Sequence, residues 1–108
     1  MQERESDVDR FMKREIHSFE YLYIKLTGTN ANGLPDRMIL GDGKVFFVEL
    51  KRPGEKPRKL QQIILRELYR KGFRVYTVDN KRTAERLAEK IGGGRRGIHT
   101  ASISEESH

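Results

Sequence analysis

The chain has 108 residues, enough for one compact domain and too few for two independent cores. It contains no cysteine, which excludes disulfides, thiolate zinc centres and cysteine nucleophiles together. With 22 Lys and Arg against 16 Asp and Glu, the net charge of +6 invites an anionic partner, either nucleic acid or a membrane surface. The start, MQERESDVDRFMKREI, is charged where a signal peptide would be apolar, and no run approaches the length of a membrane span. A soluble protein acting inside the cell is expected.

The elements follow from periodicity. Residues 3–19 read as an amphipathic helix, because Val8, Phe11, Met12, Ile16 and Phe19 recur at three- and four-residue spacing. Residues 21–26 (YLYIKL) are aromatic and β-branched, so they read as a strand. Residues 27–36 (TGTNANGLPD) form a loop, since glycine, asparagine and proline interrupt any regular element. Residues 37–40 and 45–51 read as two strands joined by a Gly-Asp-Gly-Lys hairpin. A loop over residues 52–57 leads into a second helix over 58–71, with Leu60, Ile64, Leu65 and Leu68 on its apolar stripe and Gly72 as its stop. Residues 73–78 read as a fourth strand, with Phe73, Val75 and Thr77 alternating against Arg74 and Tyr76. Asn80 can cap a third helix ending at Ile91, whose buried face is Ala84, Leu87, Ala88 and Ile91.

The order is thus α-β-β-β-α-β-α. The long crossover through the second helix allows a parallel pairing, which places the chain in the α/β class with a central mixed four-stranded sheet. A domain over residues 1–91 and a flexible tail over 92–108 are expected, because the tail lacks periodicity and apolar content.

Charge and chemistry meet in one stretch. Residues 1–50 carry a net charge of −2 and residues 51–72 a net of +6. Such a run alone reads as a solvated helix face, but this one borders a reactive constellation: Asp36, then Glu49 and Lys51. Alternation along a strand puts Glu49 and Lys51 on one face, while Phe46, Val48 and Leu50 offer the other to a helix. A tight hairpin brings Asp36 beside Glu49. Two carboxylates with a lysine suit metal-assisted phosphodiester hydrolysis, in which Asp36, Glu49 and the Leu50 main-chain carbonyl offer hard oxygen ligands to Mg²⁺. Lys51 can orient the attacking water or stabilise the pentavalent transition state. The bare spacing is also compatible with a surface aspartate and a Glu–Lys pair at a strand end.

Residues 32–40 (NGLPDRMIL), 45–51 (VFFVELK) and 57–61 (PRKLQ) together resemble the virus-type replication-repair nuclease (VRR-Nuc) domain of the PD-(D/E)XK superfamily. The likeness runs from the first helix to Val78. It implies a restriction-endonuclease-like core, metal binding by Asp36 and Glu49, a catalytic Lys51, and Gln61 beside the site on the next helix. It also implies an acid from the first helix, which Glu5 resembles most, with Asp9 one turn later; either reaches a metal directly or through water.

As a stand-alone, minimal domain the chain is similar to phage-encoded members, associated with cleavage of branched DNA and Holliday junctions. That likeness implies Mg²⁺ dependence with Mn²⁺ able to substitute, a homodimer acting in the bacterial cytoplasm, and neither a nucleotide cofactor nor a membrane partner. Arg52, Lys56, Arg58 and Lys59 are the candidate phosphate contacts. A nuclease of the same fold acting on flap, nicked or plain duplex DNA, or a DNA-binding module without catalysis, are the alternatives.

Overall fold

The computed structural model describes residues 5–26 and 33–105, with residues 94–105 described through their backbone alone. Helix α1 spans Glu5–Ser18 and buries Val8, Met12 and Ile16, a four-residue spacing that keeps one stripe on the core. Strand β1 (Leu22–Lys25) pairs antiparallel with β2 (Arg37–Gly41), which pairs antiparallel with β3 (Lys44–Leu50). Asp42 and Gly43 both adopt positive φ, 52° and 73°, so the hairpin turns with the hand that matches strand twist. After α2 (Lys59–Arg70), strand β4 (Arg74–Val78) returns parallel to β3, with Glu49 opposite Thr77. The sheet order is β1-β2-β3-β4.

Helices cover both faces. On one, α1 and α3 (Lys81–Glu105) pack together over Ile39, Phe46, Val48, Leu50 and Val78, and burial of each such side chain contributes about 1.5–3 kcal/mol. On the other, α2 packs against β4 and reaches Glu49 through Gln61. The mixed four-stranded sheet and the α-β-β-β-α-β-α order agree with the sequence reading.

Three expectations shift. In β4 it is Tyr76 and Val78 that meet the α1/α3 core, not the register of Phe73, Val75 and Thr77, because helices lie on both sides and neither face is purely polar. In α2 the deepest residue is polar: Gln61 is buried while Leu60 stays 46% exposed. The third helix does not stop at Ile91. Asn80 caps it as expected, its side-chain oxygen accepting the Thr83 N–H at 2.8 Å, but helical backbone continues through the glycines to Glu105, where a tail without periodicity is expected. Gly92 is a contact residue: a Cβ there would overlap the Phe19 ring, so its lack of a side chain lets α1 and α3 approach. No proline interrupts the run, so the glycines lower helix propensity without ending the helix. Among the described residues no helix is long and apolar enough to cross a membrane.

Candidate active site

The β2–β3 hairpin and the start of α2 bring Asp36, Glu49, Lys51 and Gln61 together. Gly33 begins the approach to Asp36 with φ of 71°, and a Cβ there would stand 2.9 Å from the Leu60 side chain and 3.0 Å from its carbonyl oxygen. Only glycine combines that backbone hand with that contact, so the glycine of G-x-P-D seats the loop against the first turn of α2. Buried Pro35 then restricts the backbone entering Asp36.

Asp36 and Glu49 clasp each other through their backbones. The Asp36 N–H donates to Glu49 Oε1 at 3.1 Å, and Asp36 Oδ2 accepts the Leu50 N–H at 2.9 Å. Among the described residues, nothing donates to Asp36 Oδ1. Glu49 is only 1% exposed, and its Oε2 accepts from Gln61 Nε2 at 2.6 Å and lies 3.2 Å from Lys51 Nζ. Burial, reinforced by the Asp36 charge, raises the Glu49 pKa above the ordinary carboxylate value, and the Lys51 and Gln61 contacts offset this only in part. Two carboxylates and one ammonium leave the cluster one negative charge in excess.

Gln61 has a second task. Its Oε1 accepts the Arg58 N–H at 3.2 Å, satisfying a donor at the start of α2. That bond fixes which end of the amide faces Glu49. A hydrophobic periodicity marks Leu60 and passes over Gln61; the family resemblance is the signal that identified it.

The first-helix acids differ from each other. Glu5 stands exposed in the first turn of α1, and no group of three acids or histidines able to hold a metal occurs among the described residues. Asp9 is engaged elsewhere: Arg37 Nε and Nη2 donate to its two oxygens at 2.9 and 2.7 Å, and the Tyr23 hydroxyl donates to Oδ1 at 2.7 Å. Burial disfavours the Asp9 charge, yet these bonds outweigh it and lower the Asp9 pKa. The Arg37 pKa is raised for the reciprocal reason, because the bond to Asp9 overcomes burial. Tyr23 is pushed up by burial and by its bond to Asp9. Sequence reading missed Arg37 and Tyr23. The available signal was an arginine opening an otherwise apolar strand directly after Asp36.

Arg52, Lys56 and Arg58, on the segment between β3 and α2, and Lys59, at the start of α2, are all exposed. Asn32, the first residue of the motif, lies outside the described residues.

No family model matches the chain. It is 32% identical over 79 residues to "Putative nuclease p44" of Acyrthosiphon pisum secondary endosymbiont phage 1, covering 72% of this chain and 85% of that protein. A solved VRR_NUC domain superimposes with a TM-score of 0.72 at 26% identity, covering 79% of this chain and 94% of the other. Fold and relative agree: the chain belongs to the VRR-Nuc family of nucleases.

Proposed function

We propose that this nuclease is a metal-dependent endonuclease that hydrolyses phosphodiester bonds in DNA, with branched DNA such as the Holliday junction as its substrate. The observation that carries the reading is the cluster in which half-buried Asp36 and buried Glu49 are held together, with Lys51 3.2 Å from Glu49 Oε2.

The donor set suits a hard divalent cation such as Mg²⁺ or Mn²⁺. Asp36 Oδ1, the Glu49 carboxylate and the Leu50 carbonyl are oxygen ligands, and the excess negative charge is what a cation neutralises. When bound, such an ion supplies Lewis acidity toward the phosphate and lowers the pKa of a coordinated water. Glu5 contributes through water from the exposed first turn of α1. The rest is the work of this chain's side chains. Lys51 holds its ammonium, about 10% exposed, where charge develops on the pentavalent phosphorus. Gln61 keeps the Glu49 carboxylate oriented, so its geometry is set before substrate arrives. Arg52, Lys56, Arg58 and Lys59 bind phosphates beside the scissile bond and add affinity without sequence preference.

A four-way junction presents two symmetry-related strands, which a two-fold homodimer with two sites would cut as a pair. A purely DNA-binding role leaves the half-buried Asp36 and the buried Glu49, Lys51 and Gln61 gathered beside it without a purpose. The deciding experiment incubates matched duplex, flap and four-way junction DNA with the protein in Mg²⁺, with EDTA and Asp36→Asn as controls. Junction cleavage lost in both controls is the expected result. Preferential cutting of flap or duplex would transfer the substrate assignment, and no cutting in Mg²⁺ or Mn²⁺ would overturn the reading.

A further inference from the structure

Arg37 is a well-bonded residue that the proposed chemistry leaves unused. Its side chain is 12% exposed, so a phosphate has little access to it. All three nitrogens of the guanidinium are committed: Nε and Nη2 to Asp9 on α1, and Nη1 to the Asp36 carbonyl oxygen at 3.0 Å. The Tyr23 ring lies beneath the guanidinium, 6.0 Å from its central carbon. Asp36 is therefore held at each of its polar groups. Glu49 accepts from its N–H, Leu50 donates to its carboxylate, and its carbonyl receives both Leu26 N–H, at 2.8 Å, and Arg37. Of these ties, only Arg37 links Asp36 to α1, since the others belong to β3 or to the end of β1.

Resting on the metal-nuclease reading, we infer that Arg37 is a positioning residue for the Asp36 carboxylate, and that Asp9 serves the site through Arg37 and not as a metal ligand. The geometry of a small hard cation tolerates little displacement, so the residue that fixes the Asp36 backbone controls how well the carboxylate meets it. Asp9 is matched one to one by the bidentate Arg37 ion pair and leaves no charge for a cation to neutralise, whereas Asp36 and Glu49 stand beside a single lysine. Lysine at position 37 would keep the charge but could not reproduce a planar fork that reaches two carboxylate oxygens and a carbonyl at once.

The test measures Ca²⁺ binding by calorimetry and cleavage in Mg²⁺ for the intact chain and for Arg37→Lys, Arg37→Ala, Asp9→Ala and the Arg37→Ala/Asp9→Ala double variant. Arg37→Lys should retain most thermal stability yet weaken Ca²⁺ binding and kcat by about 10-fold or more, as loss of a group that orients a metal ligand does. DNA affinity, measured in Ca²⁺-free buffer, should change less than about twofold. Asp9→Ala should match Arg37→Ala, and the double variant should be no worse than the poorer single, the mark of residues acting as one unit. Asp9→Ala abolishing Ca²⁺ binding while Arg37→Ala keeps it would make Asp9 a ligand and overturn the inference. So would Arg37→Lys with wild-type Ca²⁺ affinity and kcat, or an Arg37→Lys loss confined to DNA affinity with a flatter salt slope. If Arg37→Ala does not fold, Arg37→Lys and the milder Tyr23→Phe carry the comparison. A wild-type protein that binds no Ca²⁺ and cuts no DNA would instead refute the metal-nuclease reading itself.

Discussion

Asp36 and Arg37 are neighbours in sequence, yet alternation at the start of β2 sends them to opposite faces of the sheet, where each meets a different charge cluster. On the α1 side, Asp9 and Arg37 are matched one to one, hydrogen-bonded at 2.7 and 2.9 Å, and the carboxylate pKa falls. On the α2 side, Asp36 and Glu49 stand together with one lysine, paired to Glu49, and the Glu49 pKa rises. The first cluster satisfies its charges; the second holds a surplus. A like-charged pair with one member buried is costly to a fold, and such frustration concentrates where chemistry is done. The contrast separates a balanced charge pair from an unbalanced one on the two sides of one sheet.

The largest expected effect breaks the reactive cluster. Asp36→Asn and Glu49→Gln should each lower cleavage by about 10²-fold or more, since several kcal/mol of transition-state stabilisation go with a metal ligand. Their stabilities should diverge. Asp36→Asn can still accept the Leu50 N–H through its amide oxygen while removing the charge that burdens Glu49, so unfolding should become harder by about 1 kcal/mol near neutral pH. In Glu49→Gln an amide nitrogen must face either the Asp36 N–H or the Gln61 and Lys51 donors, and a loss of about 1–3 kcal/mol is expected. Urea unfolding of both proteins beside a cleavage assay checks the pair.

Breaking the satisfied cluster should show the reverse emphasis in stability. Asp9→Ala leaves Arg37, 12% exposed, without its carboxylate, and a cost of about 2 kcal/mol is expected. The figure lies below that of a fully buried pair because Asp9 itself is 30% exposed. Denaturant midpoints would register it directly.

Acid titration sharpens the comparison, because the two clusters slope in opposite directions. Glu49 binds its proton more tightly folded than unfolded, so its contribution is full below 4.5 and is lost as pH rises through its raised folded pKa. Asp9 binds its proton more weakly when folded, so its contribution is full above 3.8 and is lost as pH falls through its lowered folded pKa. Stability against pH, measured by urea unfolding, should therefore fall on both sides of this region in wild type. Asp36→Asn should make the upper limb shallower without removing it, because burial, the larger cause, remains, and should leave the lower limb as it is. An equally steep upper limb in that variant would show that Asp36 is not the charge that burdens Glu49.

The smallest effect lies outside both clusters. Lys56→Ala with Lys59→Ala should flatten the slope of log K against log salt on DNA by up to about 2, since each phosphate contact contributes about 0.9. Thermal stability should stay within about 0.5 kcal/mol, and an unchanged slope would mark these lysines as a solvated face.

Much of this was readable from local signals. The Asp-Gly turn, the Asn80 cap and the alternation that divides Phe46, Val48 and Leu50 from Glu49 and Lys51 act within a few residues, and the structure follows them. The Asp9–Arg37 bond joins positions 28 apart and has no local signature. Gln61 was legible only through family resemblance, because its burial depends on a hydrogen bond to Glu49 and not on hydrophobicity. The continuation of α3 past Ile91 was hidden for a related reason: Gly92 reads as a helix breaker until the Phe19 ring that rests on it is known.

The contact between Gly33 and Leu60 has a consequence for how such an enzyme could diversify. It fastens together the two ends of a stretch that contains Asp36, Glu49 and Lys51, with Gln61 the next residue beyond it. The basic loop over residues 52–57 leaves and re-enters this closed unit, between the end of β3 and the start of α2. Doubling the length of a surface loop costs only about 0.6 kcal/mol in closure entropy. Insertions there could reshape this basic rim over many generations while the geometry at Asp36, Glu49 and Gln61 stays fixed. Substrate choice and bond-breaking would then drift independently, with one glycine keeping them apart.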